Sequence, residues 1–173
     1  MVKRAGKPRN PLWLDRDAER GELTNPAGQD IVVISGSAFR AIFAGSKELF
    51  GTGGDVIWYN GGRSAGEADG RSLRRAGTMQ PGRLLSLVAE VYTELGWGKV
   101  SYADLDETKK VATVLIENGP FVRGVKSDSH VCAFVRGFLE GLVSVSLDSE
   151  TKVDEQQCVA AGAEHCVFRL SWK

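Results

Sequence analysis

The chain has 173 residues, of which 42% are hydrophobic and 25% charged, an ordinary globular composition that excludes disordered and fibrous classes. A chain of this length buries roughly 70% of its unfolded surface and folds as one domain without staples. Lys plus Arg and Asp plus Glu each total 22, so the chain by itself is not expected to bind nucleic acid or an acidic membrane surface.

Residues 1–10 hold Lys3, Arg4, Lys7 and Arg9 and no acid. Gly6, Pro8 and Pro11 interrupt any helix there, so residues 1–19 read as a basic, flexible arm and residues 20–173 as a single domain. Met1 to Leu14 lacks the apolar run of an export signal. Ile31–Ile34 and Val111–Ile116 are the longest apolar runs, far short of the ~20 residues that span a bilayer. The expectation is a cytoplasmic protein with no membrane span. Its three cysteines are an odd number, and neighbouring thiols in a reducing compartment are more often metal ligands or redox groups than bridges.

Arg20 to Ile34 suits one or two short strands broken by Asn25, Pro26 and Gly28. Ser35 or Ser37 caps a helix to about Phe50, with Phe39, Ile42, Phe43 and Leu49 on one face and Gly51 past its end. Gly51-Thr-Gly-Gly54 reads as a loop of positive-φ glycines, since neither a phosphate loop nor a dinucleotide fingerprint can be drawn. Gly62, Gly66 and Gly70 recur every four residues and on a helix form a side-chain-free stripe. Glycine costs about 1 kcal/mol in a helix interior, so the stripe predicts close approach of another backbone, within the fold or across a dimer.

Pro81 to Leu95 carries Leu84, Leu85, Leu87, Val88, Val91, Tyr92 and Leu95 at helical spacing, with Gly96 as the stop. Trp97–Leu105 and Val111–Glu117 read as strands around a polar turn, the second apolar on both faces and therefore central and covered. Asp128 or Ser129 would cap a last helix from about His130 to Val145. Cys132 in its first turn would have its pKa lowered by the helix dipole. A strand Thr151–Val159 and its hairpin partner His165–Trp172 complete an α+β fold, a mostly antiparallel sheet of about four or more strands packed against helices.

A hairpin turning at Gly162 makes Cys158 and Cys166 cross-strand neighbours. With Glu155 and a Cys132 brought over the hairpin end, three thiolates and a carboxylate form a four-ligand set suited to zinc, closed and therefore structural. Residue spacing leaves three outcomes open: this metal site, a Cys158–Cys166 disulfide, or three unrelated buried cysteines. His165 lies next to Cys166, and adjacent strand residues point to opposite faces. His130 reads as a cap or surface residue. No nucleophile–base–acid arrangement is visible, so no catalytic residue is assigned and the balance is against an enzyme.

The order Cys132, Glu155, Cys158, Cys166, within Glu-Gln-Gln-Cys-Val-Ala-Ala-Gly-Ala-Glu-His-Cys, resembles the C-terminal segment of the 4-vinyl-reductase (V4R) domain family. Gly21–Gly51 and Tyr59-Asn-Gly-Gly62 resemble its upstream parts. That family includes the sensor domains of phenol- and xylene-responsive activators and is related in fold to subunits of Golgi trafficking tethers. The resemblance implies a zinc-tied C-terminal hairpin held by Cys132, Glu155, Cys158 and Cys166. It also implies an apolar ligand pocket beside the zinc, for which Tyr92, Trp97, Ile116, Phe134 and Phe138 are the candidates, and a homodimer with Gly62, Gly66 and Gly70 as packing positions. Tyr92 and Ile116 stand where the phenol sensors place a His and a Trp, so neither anchor is retained as such. The expected function is a stand-alone sensor-type domain for a small apolar or aromatic ligand, signalling through a dimer or a separate partner protein. The alternatives are a 4-vinyl reductase or accessory protein of (bacterio)chlorophyll-type tetrapyrrole biosynthesis, for which no nicotinamide or flavin fingerprint is found, and a non-enzymatic scaffold subunit.

Overall fold

The structure, a computed structural model, describes residues 14–24, 30–75, 77 and 79–173. Lys3, Arg4, Lys7 and Arg9 of the basic arm lie outside the described residues. The chain divides into two compact units, Met1–Ile34 and Ser35–Lys173.

In the first unit, β1 (Asp15–Asp17) pairs antiparallel with β2 (Glu22–Thr24). Asp17 Oδ1 accepts from the amides of Glu19 and Arg20 at 3.0 Å, and Gly21 takes φ +71°. This is the side-chain-to-backbone turn that Asp favours. The expected arm boundary at residues 19 and 20 falls inside this turn, and β1 was not foreseen because Asp-Arg-Asp offers no apolar alternation.

The second unit begins with α1 (Gly36–Phe50), whose N-cap Ser35 accepts from the Ala38 amide at 3.1 Å. Helix α2 (Thr52–Arg74) follows after Gly51 alone, which has φ +56°. The expected glycine loop is therefore one residue long. Gly53 and Gly54 already lie in α2, where a Cβ on Gly54 would stand 3.0 Å from the Ser46 carbonyl of α1. α3 (Pro81–Glu94) starts at its proline and buries Leu84, Leu85, Val88 and Tyr92.

Strands β3 (Lys99–Asp106), β4 (Val111–Glu117), β5 (Thr151–Gln157) and β6 (Cys166–Trp172) form one antiparallel sheet in the order β3-β4-β6-β5. β4 is central, as expected. Only one of its faces is fully covered: Ala112, Val114 and Ile116 are buried while Val111, Thr113 and Leu115 are half-buried. The covered face continues through Cys166, Phe168 and Leu170 of β6 and meets α4 (Ala133–Leu147). This helix starts three residues later than the sequence suggests. Its N-cap is Cys132, with no side-chain cap bond, because the preceding loop is tied elsewhere: the Ser127 amide donates to the Ala160 carbonyl at 2.8 Å.

α2 and α4 pack backbone against backbone. A Cβ on Gly62 would lie 2.9 Å from the Phe134 carbonyl carbon, and one on Gly66 2.8 Å from the Leu142 amide. From α4, a Cβ on Gly137 would lie 2.9 Å from the Tyr59 carbonyl carbon, and one on Gly141 2.9 Å from the Glu67 amide. The stripe thus serves packing within the fold, and both helices contribute glycines to one seam. Among the described residues no helix is long and apolar enough to cross a membrane.

Candidate metal centre and the neighbouring aromatic cluster

Cys132, Glu155, Cys158 and Cys166 come together, with their potential ligand atoms all within 4.8 Å of one another. Each is placed by a different device. Cys132 is delivered by the start of α4. Cys166 opens β6 opposite Ile116 of β4. Cys158 follows β5 and begins the short 3-10 turn Val159–Ala161, which ends at Gly162 with φ +96°. The hairpin therefore turns at the expected glycine.

Glu155 and Cys158 are three residues apart, an odd spacing that puts two residues of a regular strand on opposite faces. The structure resolves this with a bulge. Glu155 pairs with Phe168, whereas Gln157 pairs with Val167, leaving Gln156 as an extra residue. One extra residue inverts the alternation, so the carboxylate and the sulfur reach the same end of the same face.

The three cysteines are free and deeply buried, at 5%, 1% and 2% exposure for Cys132, Cys158 and Cys166. Cys132 Sγ lies 3.8 Å from Cys158 Sγ and 3.6 Å from Cys166 Sγ, far beyond the roughly 2.05 Å of a disulfide. The Cys132 and Cys166 thiols hydrogen-bond to Cys158 and hold its pKa well below the ordinary thiol range. The bonds with Cys158 and Cys166, with burial, push Cys132 up, the reverse of the lowering expected from the helix dipole. At Cys166 the bond with Cys132 pulls down, but the bond with Cys158 and burial lift it to about 12.

Burial raises Glu155 to about 8. Its Oε2 accepts from the Cys132 amide at 3.2 Å, while Oε1 is buried with no hydrogen-bond partner. A buried carboxylate oxygen without a donor costs free energy unless a cation meets it. The three sulfurs and a Glu155 carboxylate oxygen, all within 4.8 Å of one another, make a donor set that fits a metal. His130 is exposed and His165 half-buried, and neither belongs to the cluster.

Of the predicted pocket residues, four come together. Trp97 lies 4.8 Å from Tyr92 and 4.7 Å from Phe138 between ring centroids, and Tyr92 lies 5.1 Å from Phe138. Phe134 stands 6.0 Å from Trp97 and 6.4 Å from Phe138. Ile116 makes no ring contact of this kind and sits in register with Cys166, on the sulfur side. The cluster extends to Phe39 of α1, Trp58 of α2 and Phe121 of the 118–129 loop: Phe39 is 4.8 Å from both Trp58 and Phe121, and Phe121 is 5.0 Å from Trp97. Phe121 was not anticipated, although Pro120 before it is the fixed point of the loop, its carbonyl accepting from the Arg40 guanidinium. The Tyr92 hydroxyl donates to Asp69 Oδ2 at 2.9 Å, and burial raises its pKa above the ordinary phenol range. A separate groove of about 510 Å³ is polar, lined by Arg63, Glu67, Arg74, Glu140 and Lys152 among others, and includes none of the predicted pocket residues.

A model of the V4R domain family matches residues 113–171, from β4 through β6. The phenol-responsive sensory domain of the transcription activator PoxR, solved with phenol, superposes with a TM-score of 0.78 at 19% identity, covering 92% of this chain and 84% of that one. A trafficking protein particle complex subunit 3 from Naegleria fowleri, covalently bound to palmitic acid, gives 0.63 at 8% identity, covering 80% and 92%. A vinyl-4-reductase family protein from Methanocaldococcus jannaschii gives 0.55 at 20% identity, covering 83% and 84%. No curated protein matches the chain by sequence. At these identities the three structures share its fold.

Proposed function

We propose that this chain is a sensor-type domain that binds a small apolar or aromatic molecule, braced by a structural zinc ion. The observation that carries the reading is the likeness in fold to a phenol-responsive sensory domain over 92% of the chain. The cluster of Tyr92, Trp97, Phe134 and Phe138 supports it, because aromatic rings offer a flat apolar guest large contact areas and favourable edge-to-face or offset contacts. The Tyr92 hydroxyl, backed by Asp69, is the polar group that would orient a hydroxyl-bearing ligand. Readout would pass to a homodimer or a separate partner protein.

The zinc assignment rests on the donor set. Zinc–sulfur bonds of about 2.3 Å in a tetrahedron place sulfurs about 3.8 Å apart, against 3.8 and 3.6 Å here. Cys132, Cys158, Cys166 and Glu155 would fill all four positions, so the ion would supply cross-linking and charge compensation rather than a reactive site. Clustered free thiols also suit a reducing compartment, so we place the protein in the cytoplasm.

Ligand binding stabilises the state that binds it by RT ln(1 + [L]/Kd), about 2.7 kcal/mol at 100 Kd. Titrating phenol, substituted phenols and a fatty acid against thermal unfolding should give a saturable rise for at least one of them, reduced in Phe138→Ala. Absence of any rise across the panel would sink the sensor reading. Metal analysis should return about one zinc per chain.

A further inference from the structure

We infer that Asp69 sets the hydrogen-bond polarity of the proposed pocket, so that it takes neutral aromatic guests that donate a hydrogen bond and rejects acceptor-only and anionic ones. Asp69 acts as a positioning residue, by holding the Tyr92 proton. The inference deepens the sensor reading above and rests on it.

A phenolic hydroxyl both donates and accepts, so a buried tyrosine is able to present either polarity to a guest. Tyr92 is 7% exposed, and its hydroxyl donates to Asp69 Oδ2 at 2.9 Å. A carboxylate only accepts. The single hydrogen is therefore committed, and among the described residues no other hydrogen bond reaches the Tyr92 oxygen. Burial, then the Asp69 charge, raises the Tyr92 pKa, which keeps that hydrogen in place. A guest is left with a lone pair.

The two partners are fixed by different parts of the fold. Asp69 lies on α2 just before Gly70 and three positions after Gly66. A Cβ on Gly70 would stand 2.9 Å from the Leu142 carbonyl oxygen, and one on Gly66 2.8 Å from the Leu142 amide, so this stretch of α2 is set against the α4 backbone. Tyr92 sits in the last turn of α3, where its carbonyl accepts from the Trp97 amide at 2.9 Å. Beside it, Thr93 Oγ1 accepts from the Val100 amide of β3 at 2.9 Å. Rigid elements on both sides preorganise the contact.

The other polar atoms of the ring cluster do not discriminate. Trp58 Nε1 is committed to Ser46 Oγ at 2.5 Å. The Trp97 indole N–H only donates, and would serve a hydroxyl and a carbonyl oxygen alike. The choice between those two guests falls to Tyr92. A carbonyl oxygen set against the Tyr92 lone pairs leaves two acceptors facing each other, a loss of about tenfold or more in affinity. A guest carboxylate there would add a like charge about 5 Å from Asp69, a loss of roughly a hundredfold or more.

Isothermal titration of the full chain with phenol, aniline, benzaldehyde, benzoate and benzylamine tests this. Phenol and aniline, which both donate, should bind within a few-fold of each other, benzaldehyde about tenfold or more weaker, and benzoate not detectably. Asp69→Asn, whose amide donates as well as accepts, should narrow the phenol-to-benzaldehyde ratio severalfold, and Tyr92→Phe should abolish it. A merely structural role for Asp69 would weaken every guest together and leave that ratio unchanged. Benzaldehyde or benzoate binding the wild type as tightly as phenol would overturn the inference while the sensor reading stood, as would a ratio that neither substitution moves. Tightest binding by benzylamine, a cation at neutral pH, would make Asp69 the direct contact and also overturn it. If no guest of any class binds, the sensor reading fails and the inference with it.

Discussion

Helices α1 and α4 are both 15 residues long and both rich in apolar and small residues, yet α4 has nine buried residues and α1 none. The difference lies in what each meets. Helix α4 is held at its start by the sulfur cluster, along one side by the glycine seam with α2, and along another by the covered face of the sheet. Helix α1 is held by the rings of Phe39 and Phe43 and by the close approach of Gly54. Apolar content sets how much a helix gains by burial. Small residues on the neighbour decide whether it can be buried.

The comparison can be broken at α4 or sharpened at α1. The largest effect is expected at the sulfur cluster. Structural zinc is worth on the order of 10 kcal/mol in small modules, so Cys158→Ser should release the metal and lower the melting temperature by roughly 20 °C or more. Metal analysis and calorimetry on one preparation check both parts, and a metal-free wild type that melts no lower would remove zinc from the account.

Next comes the seam. Gly66→Ala would drive a methyl into the α4 backbone, where overpacking costs about 3 kcal/mol, read as a shift in urea midpoint. Gly141→Ala should cost a similar amount from the opposite helix, and the double variant should be less than additive because both changes push the same two helices apart.

A smaller loss is expected on α1. Truncating a fully buried Phe costs about 3–5 kcal/mol, and Phe39 is half-buried, so Phe39→Ala should cost about 2 kcal/mol in the same assay. The smallest effect should have the opposite sign. Gly45→Ala places a methyl in open space on a helix, which by intrinsic preference stabilises by up to about 1 kcal/mol, measured where the protein is monomeric. A destabilising Gly45→Ala would mean that α1 is already covered.

Much of this arrangement was legible locally. Ser35 and Gly51 bound α1, Pro81 and Gly96 bound α3, and Gly162 turns the last hairpin, because capping and positive φ act over a few residues. The start of α4 was misread: Asp128 and Ser129 are good caps by type, but the loop is drawn to the hairpin through the Ser127–Ala160 bond. β4 was read as covered on both faces because apolar residues on the second face do not reveal that nothing buries them. The four aromatic positions of the proposed pocket come together, while Phe121 joined them from a loop with no periodic signal and Asp69 from the glycine-striped helix α2.

The sequence by itself determined the types of most elements after β1, the ends of α1 and α3, the apolar faces and the kinds of donor that cluster at the hairpin. Tertiary structure alone decided that an extra residue at Gln156 brings Glu155 onto the face of Cys158, that Cys132 arrives as the cap of α4, and that Gly62, Gly66 and Gly70 receive α4. Caps and turns are set by interactions spanning a few residues. These other outcomes depend on pairing positions from 10 to more than 70 residues apart, which local chemistry permits and only the closed chain selects.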